Sequence, residues 1–311
     1  MNLTQNKKAV VTGGAGFIGS RLVRALLDQG FAVTVIDDLS AYGDVRLLDV
    51  QEKITFLKES ILKKEVLLSA FDGADVVFHL AAVVSVQESI NHPERTNEVN
   101  CVGTFNAIDA ARIAKVPKFV FSSSASVYGD TPELPKKENG ATKPLSPYGV
   151  SKLIGEEYVK LYSDLYGMSA IALRYMNAYG PGQDPNGAYA AAIPKFISAV
   201  ENSQPITIFG DGKQTRDFVF VDDIVRANIL ASQSDNVAGH VINIGTGKEE
   251  SLLSVIEILK ELWGEDFEVL FEDVQQGDIH RSFANVTKAK ELLGFEAKIS
   301  LKEGISLMIK L

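Results

Sequence analysis

Residues 9–19 read Ala9-Val10-Val11-Thr12-Gly13-Gly14-Ala15-Gly16-Phe17-Ile18-Gly19, and the order of residue types in this stretch decides the fold. A short, largely apolar run ends on glycines, and Ile18, Leu22, Ala25 and Leu26 then recur at helical spacing up to Gly30. The reading is strand, glycine turn, helix. Glycines here let the chain turn tightly, leave backbone room for a pyrophosphate and let helix and strand pack closely. The helix N-terminus offers free N–H groups and the positive end of its dipole to an anion. Alone, three glycines would serve a plain tight turn equally well. Here a second strand over 33–36 follows and ends in Asp37, whose carboxylate can accept hydrogen bonds from the hydroxyls of an adenosine ribose. The context implies a dinucleotide site. A carboxylate at this point repels a 2′-phosphate, so NAD is expected rather than NADP.

Outward from this stretch, apolar strands are expected over 54–57, 75–79, 118–122 and 170–174, with helical patterns between most of them. Alternation of this kind implies a doubly wound α/β fold, a parallel sheet covered on both faces. Pro93 and Pro147 can each sit in the first turn of a helix, one running to about residue 115 and the other to about 166. Beyond Asn177 the pattern changes to a loop over 179–187 and shorter, less regular elements. The expected division is an NAD-binding domain over 1–176, with 218–245 returning to its sheet, and a smaller α/β substrate lobe over 177–217 and 246–311.

Composition narrows the class. The chain has 311 residues, 46% hydrophobic and 23% charged, with only 10 prolines, which fits a fully folded globular enzyme. Its net charge of −9 argues against a nucleic-acid partner, which would require a basic face. Phosphates of a bound nucleotide must then be met locally, by backbone N–H groups and a few arginines. One cysteine, Cys101, cannot form an internal disulfide and reads as a small core residue. The polar start runs straight into a strand, and the longest mostly apolar run, 76–86, is too short for a bilayer. A cytoplasmic protein with no membrane partner is expected. No metal-ligand spacing is evident.

Two further stretches carry chemistry. In Ser146-Pro147-Tyr148-Gly149-Val150-Ser151-Lys152 the tyrosine and lysine are four apart and share one helix face. A phenol with a reference pKa of about 10 is a poor base near neutrality, and an adjacent ammonium that favours phenolate would make it useful. In Phe121-Ser122-Ser123-Ser124-Ala125-Ser126-Val127-Tyr128-Gly129 serines stand at the C-terminal end of the fifth strand, where open α/β sheets place their ligands.

With these motifs the chain resembles the extended short-chain dehydrogenase/reductases that act on nucleotide sugars, and within them the UDP-glucose 4-epimerase family. The likeness covers nearly the whole chain. It includes His79-Leu80-Ala81-Ala82, Asn100-Cys101-Val102-Gly103-Thr104, Leu173-Arg174-Tyr175-Met176-Asn177, Ile208-Phe209-Gly210-Asp211-Gly212, Arg216-Asp217-Phe218-Val219 and Gly277-Asp278. The resemblance implies a Rossmann-type sheet and a catalytic set of Ser124, Tyr148 and Lys152. It implies an NAD site of Gly13, Gly16, Phe17, Ile18, Gly19, Asp37, Asp38, Ser60, Ile61, Leu80, Ala81, Ala82, Asn100 and Tyr175, with Tyr148 and Lys152. For the UDP-sugar it implies Ser85 and Ser124 near the sugar, and Asn177, Phe209, Arg216, Asp278 and Arg281 around the nucleotide diphosphate.

The chain departs from the family pattern at three places. Ser60 stands where an acidic residue near the adenine is common, and Gln275 and Gln276 replace a basic residue before Gly-Asp, leaving Arg281 as the second counter-charge. Ser282 stands where enzymes restricted to plain hexoses carry a tyrosine, which leaves room for a 2-acetamido group.

The resemblance also decides between reactions that share oxidation at C4. Family 4,6-dehydratases carry an acidic pair after the catalytic hydroxyl residue, and here Ala125 and Ser126 occupy those places. A glucuronate epimerase or decarboxylase favours a cationic pocket, and 179–192 contains no arginine or lysine. A non-catalytic NAD-binding relative would lose Tyr148 or Lys152, and both are kept. The expected function is a UDP-hexose 4-epimerase working through a transient 4-keto sugar with bound NAD. A homodimer is implied as well, since relatives pair through the helices over 97–115 and 147–166, where Ile154, Tyr158, Leu161 and Leu165 leave apolar surface to spare.

Overall fold

A computed structural model describes residues 7–41, 45–185, 191–274 and 279–309. The chain opens with β1 (Lys8–Thr12), α1 (Phe17–Asp28) and β2 (Ala32–Ile36), and continues through β3 (Ile54–Leu57), α2 (Lys64–Phe71) and β4 (Val76–His79). Then come α3 (Val86–Asn91), α4 (Pro93–Thr96), a π-helical turn (Asn97–Val102), α5 (Gly103–Ile113), β5 (Lys118–Ser124) and α6 (Pro147–Tyr166). The helix expected over 93–115 is therefore not uniform. Strand β6 (Ala170–Tyr175) follows, and with β11 (Val241–Ile244) completes a seven-stranded parallel sheet ordered β11-β6-β5-β4-β1-β2-β3.

Side-chain parity divides the sheet's two faces. In β5, Phe119 and Phe121 pack with Val159 and Tyr162 of α6, whereas Val120 packs on the other side with Ile171, Leu173 and the helix α8 (Val221–Gln233). Both faces are covered, so the strands are apolar runs without alternation. Helix α6 begins where the sequence stops it slipping: Ser146 caps it by accepting the N–H of Gly149 at 3.1 Å, Pro147 fills its first turn, and Gly167 ends it at φ 67°. The outer edge of β11 is met by side chains. Glu138 accepts the N–H of Asn243 at 2.9 Å and the Lys288 ammonium donates to the Val241 carbonyl at 2.8 Å, which blunts that edge.

A second core lies among β7 (Asn177–Tyr179), α7 (Ala192–Glu201), β8 (Ile206–Phe209), β10 (Phe218–Phe220), α9 (Leu252–Trp263) and the helix Leu301–Ile309, and β9 (Thr215–Arg216) precedes β10. Its small sheets pair β10 with β7, and β8 with β13 (Val269–Glu272); β9 lies between β12 (Glu250–Ser251) and β14 (Arg281–Ser282). Not all of 218–245 joins the main sheet: Val241–Ile244 does, but Phe218–Phe220 pairs with Asn177–Tyr179. The sequence step from β6 to β7 is one residue, so the chain leaves the main sheet at Met176 and takes β10 with it. Among the described residues no helix is long and apolar enough to cross a membrane, and no group of His, Cys, Asp and Glu could hold a metal ion.

The contact of α6 with β5 is close enough to test. A Cβ at Gly155 would lie 2.2 Å from the Phe121 ring. Gly155→Ala is expected to cost about 1–3 kcal/mol, read as a lower urea midpoint, because the ring has no free volume to move into. An unchanged midpoint would show that this contact yields freely.

Candidate active site

The sheet order reverses between β1 and β4, so the chain diverges there and leaves a crevice at the C-terminal ends of the strands. A cleft of about 910 Å³ occupies it. At its back Gly13 turns at φ +71°, and a Cβ there would lie 2.6 Å from the Ala81 amide nitrogen. A Cβ on Gly19 would lie 2.1 Å from the Gly13 carbonyl oxygen. Only glycine fits either position. Gly16 caps α1 without any side-chain hydrogen bond, and the first turn of α1 carries no acidic residue. Backbone N–H groups therefore face the cleft next to Phe17, Ile18 and Gly19, an arrangement suited to phosphate.

Asp37 lines the same cleft. Its carboxylate accepts the N–H groups of Ala15 and Leu39, both at 2.9 Å, which fixes its orientation. Burial pushes its pKa up, opposed by these two bonds. Each oxygen retains a lone pair for a ribose hydroxyl. Asp38, Ser60 and Ile61 continue the wall, followed by Leu80, Ala81 and Ala82 after β4. These groups fit a dinucleotide without a 2′-phosphate: among the described lining residues Asp37, Asp38, Glu59, Glu88, Glu98 and Asp184 outnumber Arg95 and Lys152. Arg95 is itself paired with Glu88 at 2.9 Å.

Asn100 stands behind the wall. It is 2% exposed and sits in the π-helical turn, where the extra residue per turn rotates it toward the loop after β4. Its side chain accepts the Val83 N–H at 2.8 Å and donates to the Val83 carbonyl and to Ser151 Oγ, both at 3.0 Å. It thus joins the cofactor wall to α6 without lining the cleft.

The catalytic candidates converge as the sequence implies. Ser124, at the end of β5, stands beside Tyr148, and its Oγ accepts the Ser126 N–H at 3.2 Å. Lys152 Nζ lies 5.7 Å from the centre of the Tyr148 ring and donates to the Ser122 carbonyl at 2.7 Å. Burial pushes the Tyr148 phenol up, with the Ser124 hydroxyl pulling the other way. Burial also lowers Lys152 to about 8. Tyr175 forms the floor, its hydroxyl donating to Asn228 Oδ1 at 2.9 Å. Below it His79 is 1% exposed, held by Thr12 Oγ1 at 2.7 Å and Thr104 Oγ1 at 3.1 Å. Burial and the nearby Lys152 lower it to about 3, so it is neutral.

The substrate candidates divide. Ser85 lines the cleft and caps α3 by accepting the Glu88 N–H at 3.1 Å. Asn177, Phe209, Arg216, Arg281 and Ser282 are absent from the described lining residues, and Asp278 lies outside the described residues. Arg216 donates to the Thr215 carbonyl at 2.8 Å. Arg281 is bound by both oxygens of Glu249 at 2.6 and 2.7 Å. Ser282 is 7% exposed and opposite Arg216 across β14 and β9.

Lining residues that the motifs do not single out include Val84, Met176, Ala178 and Gln183. The Gln183 loop is held from the cofactor side, since Arg21 donates to the Pro181 carbonyl at 3.1 Å and Arg46 to the Gly182 carbonyl. Gln183 Oε1 is buried without a hydrogen-bond partner among the described residues. A glutamine between glycines in a loop gives no sequence signal of that kind.

The chain matches the family model described as the NAD dependent epimerase/dehydratase family over residues 9–245. It is 40% identical over 302 residues to a putative UDP-glucose 4-epimerase of Methanocaldococcus jannaschii, covering 96% of both chains. A solved UDP-N-acetylglucosamine 4-epimerase of Methanobrevibacter ruminantium, in complex with UDP-N-acetylmuramic acid, superposes at a TM-score of 0.94 with 39% identity, covering 98% of this chain and 97% of that one. A UDP-glucose 4-epimerase of Thermotoga maritima with UDP-glucose superposes at 0.91 with 38% identity, covering 97% of each. Likeness of this extent, together with a cleft shaped for a dinucleotide, means that the chain belongs to the NAD-dependent epimerase/dehydratase family and is an enzyme whose cofactor is NAD.

Proposed function

We propose that the protein interconverts C4 epimers of UDP-hexoses, both UDP-glucose with UDP-galactose and UDP-N-acetylglucosamine with UDP-N-acetylgalactosamine. The observation that carries this reading is a half-buried Tyr148 beside Ser124 and close to Lys152, in the same cleft as the glycine turn. NAD would supply a hydride acceptor and donor for C4, so that the sugar passes through a 4-keto form without an external oxidant. Tyr148 takes the O4 proton and later returns it. Ser124 holds the hydroxyl it acts on, and the Lys152 ammonium favours the phenolate as the proton leaves.

The two residues after Ser124 favour epimerisation over dehydration. Ala125 carries no acid or base, and Ser126 Oγ is buried without a hydrogen-bond partner among the described residues, so nothing at these two positions removes a proton at C5. Ser85 and Ser124 are the proposed sugar contacts, with Arg216, Asp278 and Arg281 on the nucleotide diphosphate and Asn177 and Phe209 beside them. Arg281 would exchange Glu249 for phosphate on binding. The small Ser282 and the likeness to a UDP-N-acetylglucosamine 4-epimerase support acetylated sugars as substrates. A homodimer is part of the proposal, because Phe105, Leu161, Leu165 and Tyr166 leave apolar side chains exposed on α5 and α6.

Purified enzyme given UDP-galactose or UDP-N-acetylgalactosamine should yield the C4 epimer, by chromatography of the nucleotide sugars. Release of a 4-keto-6-deoxy sugar alone would overturn the reading. Tyr148→Phe should lower kcat by roughly 10²–10⁴-fold with NAD still bound; turnover like wild type would exclude it as the base.

The pH dependence has a definite sign. Lys152 loses its proton through about pH 8, and the neutral amine no longer favours phenolate, so kcat should fall on the alkaline side. In Lys152→Arg the cation persists, and the alkaline limb of the residual activity should move upward. An unmoved limb would remove Lys152 from this role.

Sedimentation should give a dimer, and Leu161→Glu with Leu165→Glu a monomer. A monomeric wild type would refute the pairing.

A further inference from the structure

Three successive serines at the end of β5 meet three successive turns of α6. Ser124 stands beside Tyr148, the Ser122 carbonyl accepts from Lys152, and Ser123 Oγ donates to Glu156 Oε1 at 2.5 Å. Residues 148, 152 and 156 follow one another at the i, i+4 interval that aligns side chains along a helix. Strand parity turns Ser123 toward α6, and Arg174 is its register partner on β6, so both reach the same point. There Arg174 grips Glu156 with Nε to Oε1 at 2.7 Å and Nη2 to Oε2 at 2.6 Å. Glu156 is 0% and Arg174 2% exposed, and neither lines the cleft. The guanidinium also lies over the Tyr128 ring, 4.7 Å from its centre.

We propose that Glu156, clamped by Arg174, is a positioning residue for Tyr148 and Lys152, a role that rests on the reading of Tyr148 as the base. The contacts further along this face are Phe119, Phe121, Val159 and Tyr162, and apolar packing is non-directional. It resists separation of helix and strand more than sliding. A bidentate fork has one geometry, and it fixes the axial position and rotation of α6 within a hydrogen-bond length. One and two turns back along α6 stand Lys152 and Tyr148, which meet Ser122 and Ser124 on either side of Ser123 in the strand. A buried ion pair contributes little net stability against an apolar pair of like volume, so register is the benefit left to it.

The decisive variant removes both charges, Glu156→Leu with Arg174→Met, because deleting one alone strands a buried charge and endangers folding. The double variant should fold and retain NAD, hold KM for the nucleotide sugar within about twofold, and lose about 10–100-fold in kcat, since a displacement of about 1 Å has that effect on a reacting group. The alkaline limb of its pH profile should move as well. Arg174→Lys, which keeps the charge without the fork, should also lose kcat. Wild-type kcat and pH profile in the double variant would overturn the proposal, as would a loss of activity matched by lost folded protein. If wild type shows no epimerisation, the functional reading fails first. Positioning is then decided by the phenolate absorbance of Tyr148, taken as the difference from Tyr148→Phe: a titration moved by the double variant supports it, and an unmoved one overturns it.

Discussion

No side chain fits between the turn after β1 and the loop after β4, and the rest of the site depends on that closeness. The missing Cβ at Gly13 lets the Ala81 backbone pass, and the missing Cβ at Gly19 lets α1 start directly against the turn. With β1 and β4 adjacent and their connections diverging, the crevice opens over their C-terminal ends, and each later strand is placed outward from it. β5 then brings its serines to the rim and α6 crosses above them. Thr12, the last residue before the turn, is 0% exposed and bonds both His79 and the Ala81 N–H, so the turn and the loop are fastened by side chains as well as by fit.

A net charge of −9 and a cleft whose charged lining groups are mostly carboxylates pose an electrostatic problem for an enzyme whose cofactor carries phosphates. What the structure offers to such phosphates is the start of α1, where no side chain caps the N–H groups. At the catalytic end burial lowers Lys152 to about 8 and raises Tyr148, which moves their proton affinities apart, whereas in water the reference values of about 10.4 and 10 nearly coincide. His79 could have supplied a competing cation nearby, but burial among Phe119 and Phe121 keeps it neutral.

The features legible in the sequence are those that depend on local order. The glycine turn, Asp37, the strand-end serines and the Tyr148 to Lys152 spacing each lie within one element or one connection, and each reaches the cleft. In sequence Arg281 reads as a free counter-charge, but its partner Glu249 is 32 residues away, brought beside it only because both flank β9. Ser282 and Arg216 belong to two-residue strands whose placement is purely tertiary. The family motif assigns Asn100 to the cofactor, but the π-helical turn that rotates it onto the Val83 backbone leaves no mark in hydrophobic periodicity. Asp278 falls outside the described residues.

The junction between the two cores follows from one carboxylate. Asp217, 0% exposed and next to Arg216, accepts the Thr246 N–H and hydroxyl, both at 2.7 Å, on one oxygen, and the N–H groups of Gly247 and Ala284, at 3.0 and 3.2 Å, on the other. Four donors satisfy its four lone-pair sites, which offsets a burial that pushes its pKa up. The donors come from the turn after β11 in the main sheet and from the segment after β14, where Ala284 packs into the main core, whereas Asp217 itself lies between β9 and β10. Gly245 is needed beside it, since a Cβ there would lie 2.6 Å from the Asp217 oxygen. The strand that presents Arg216 is thus anchored to the sheet that presents Tyr175, and directional hydrogen bonds to one carboxylate, added to the apolar packing of Val219 and Ala178 on the main core, hold the nucleotide candidates and the cofactor floor in one frame.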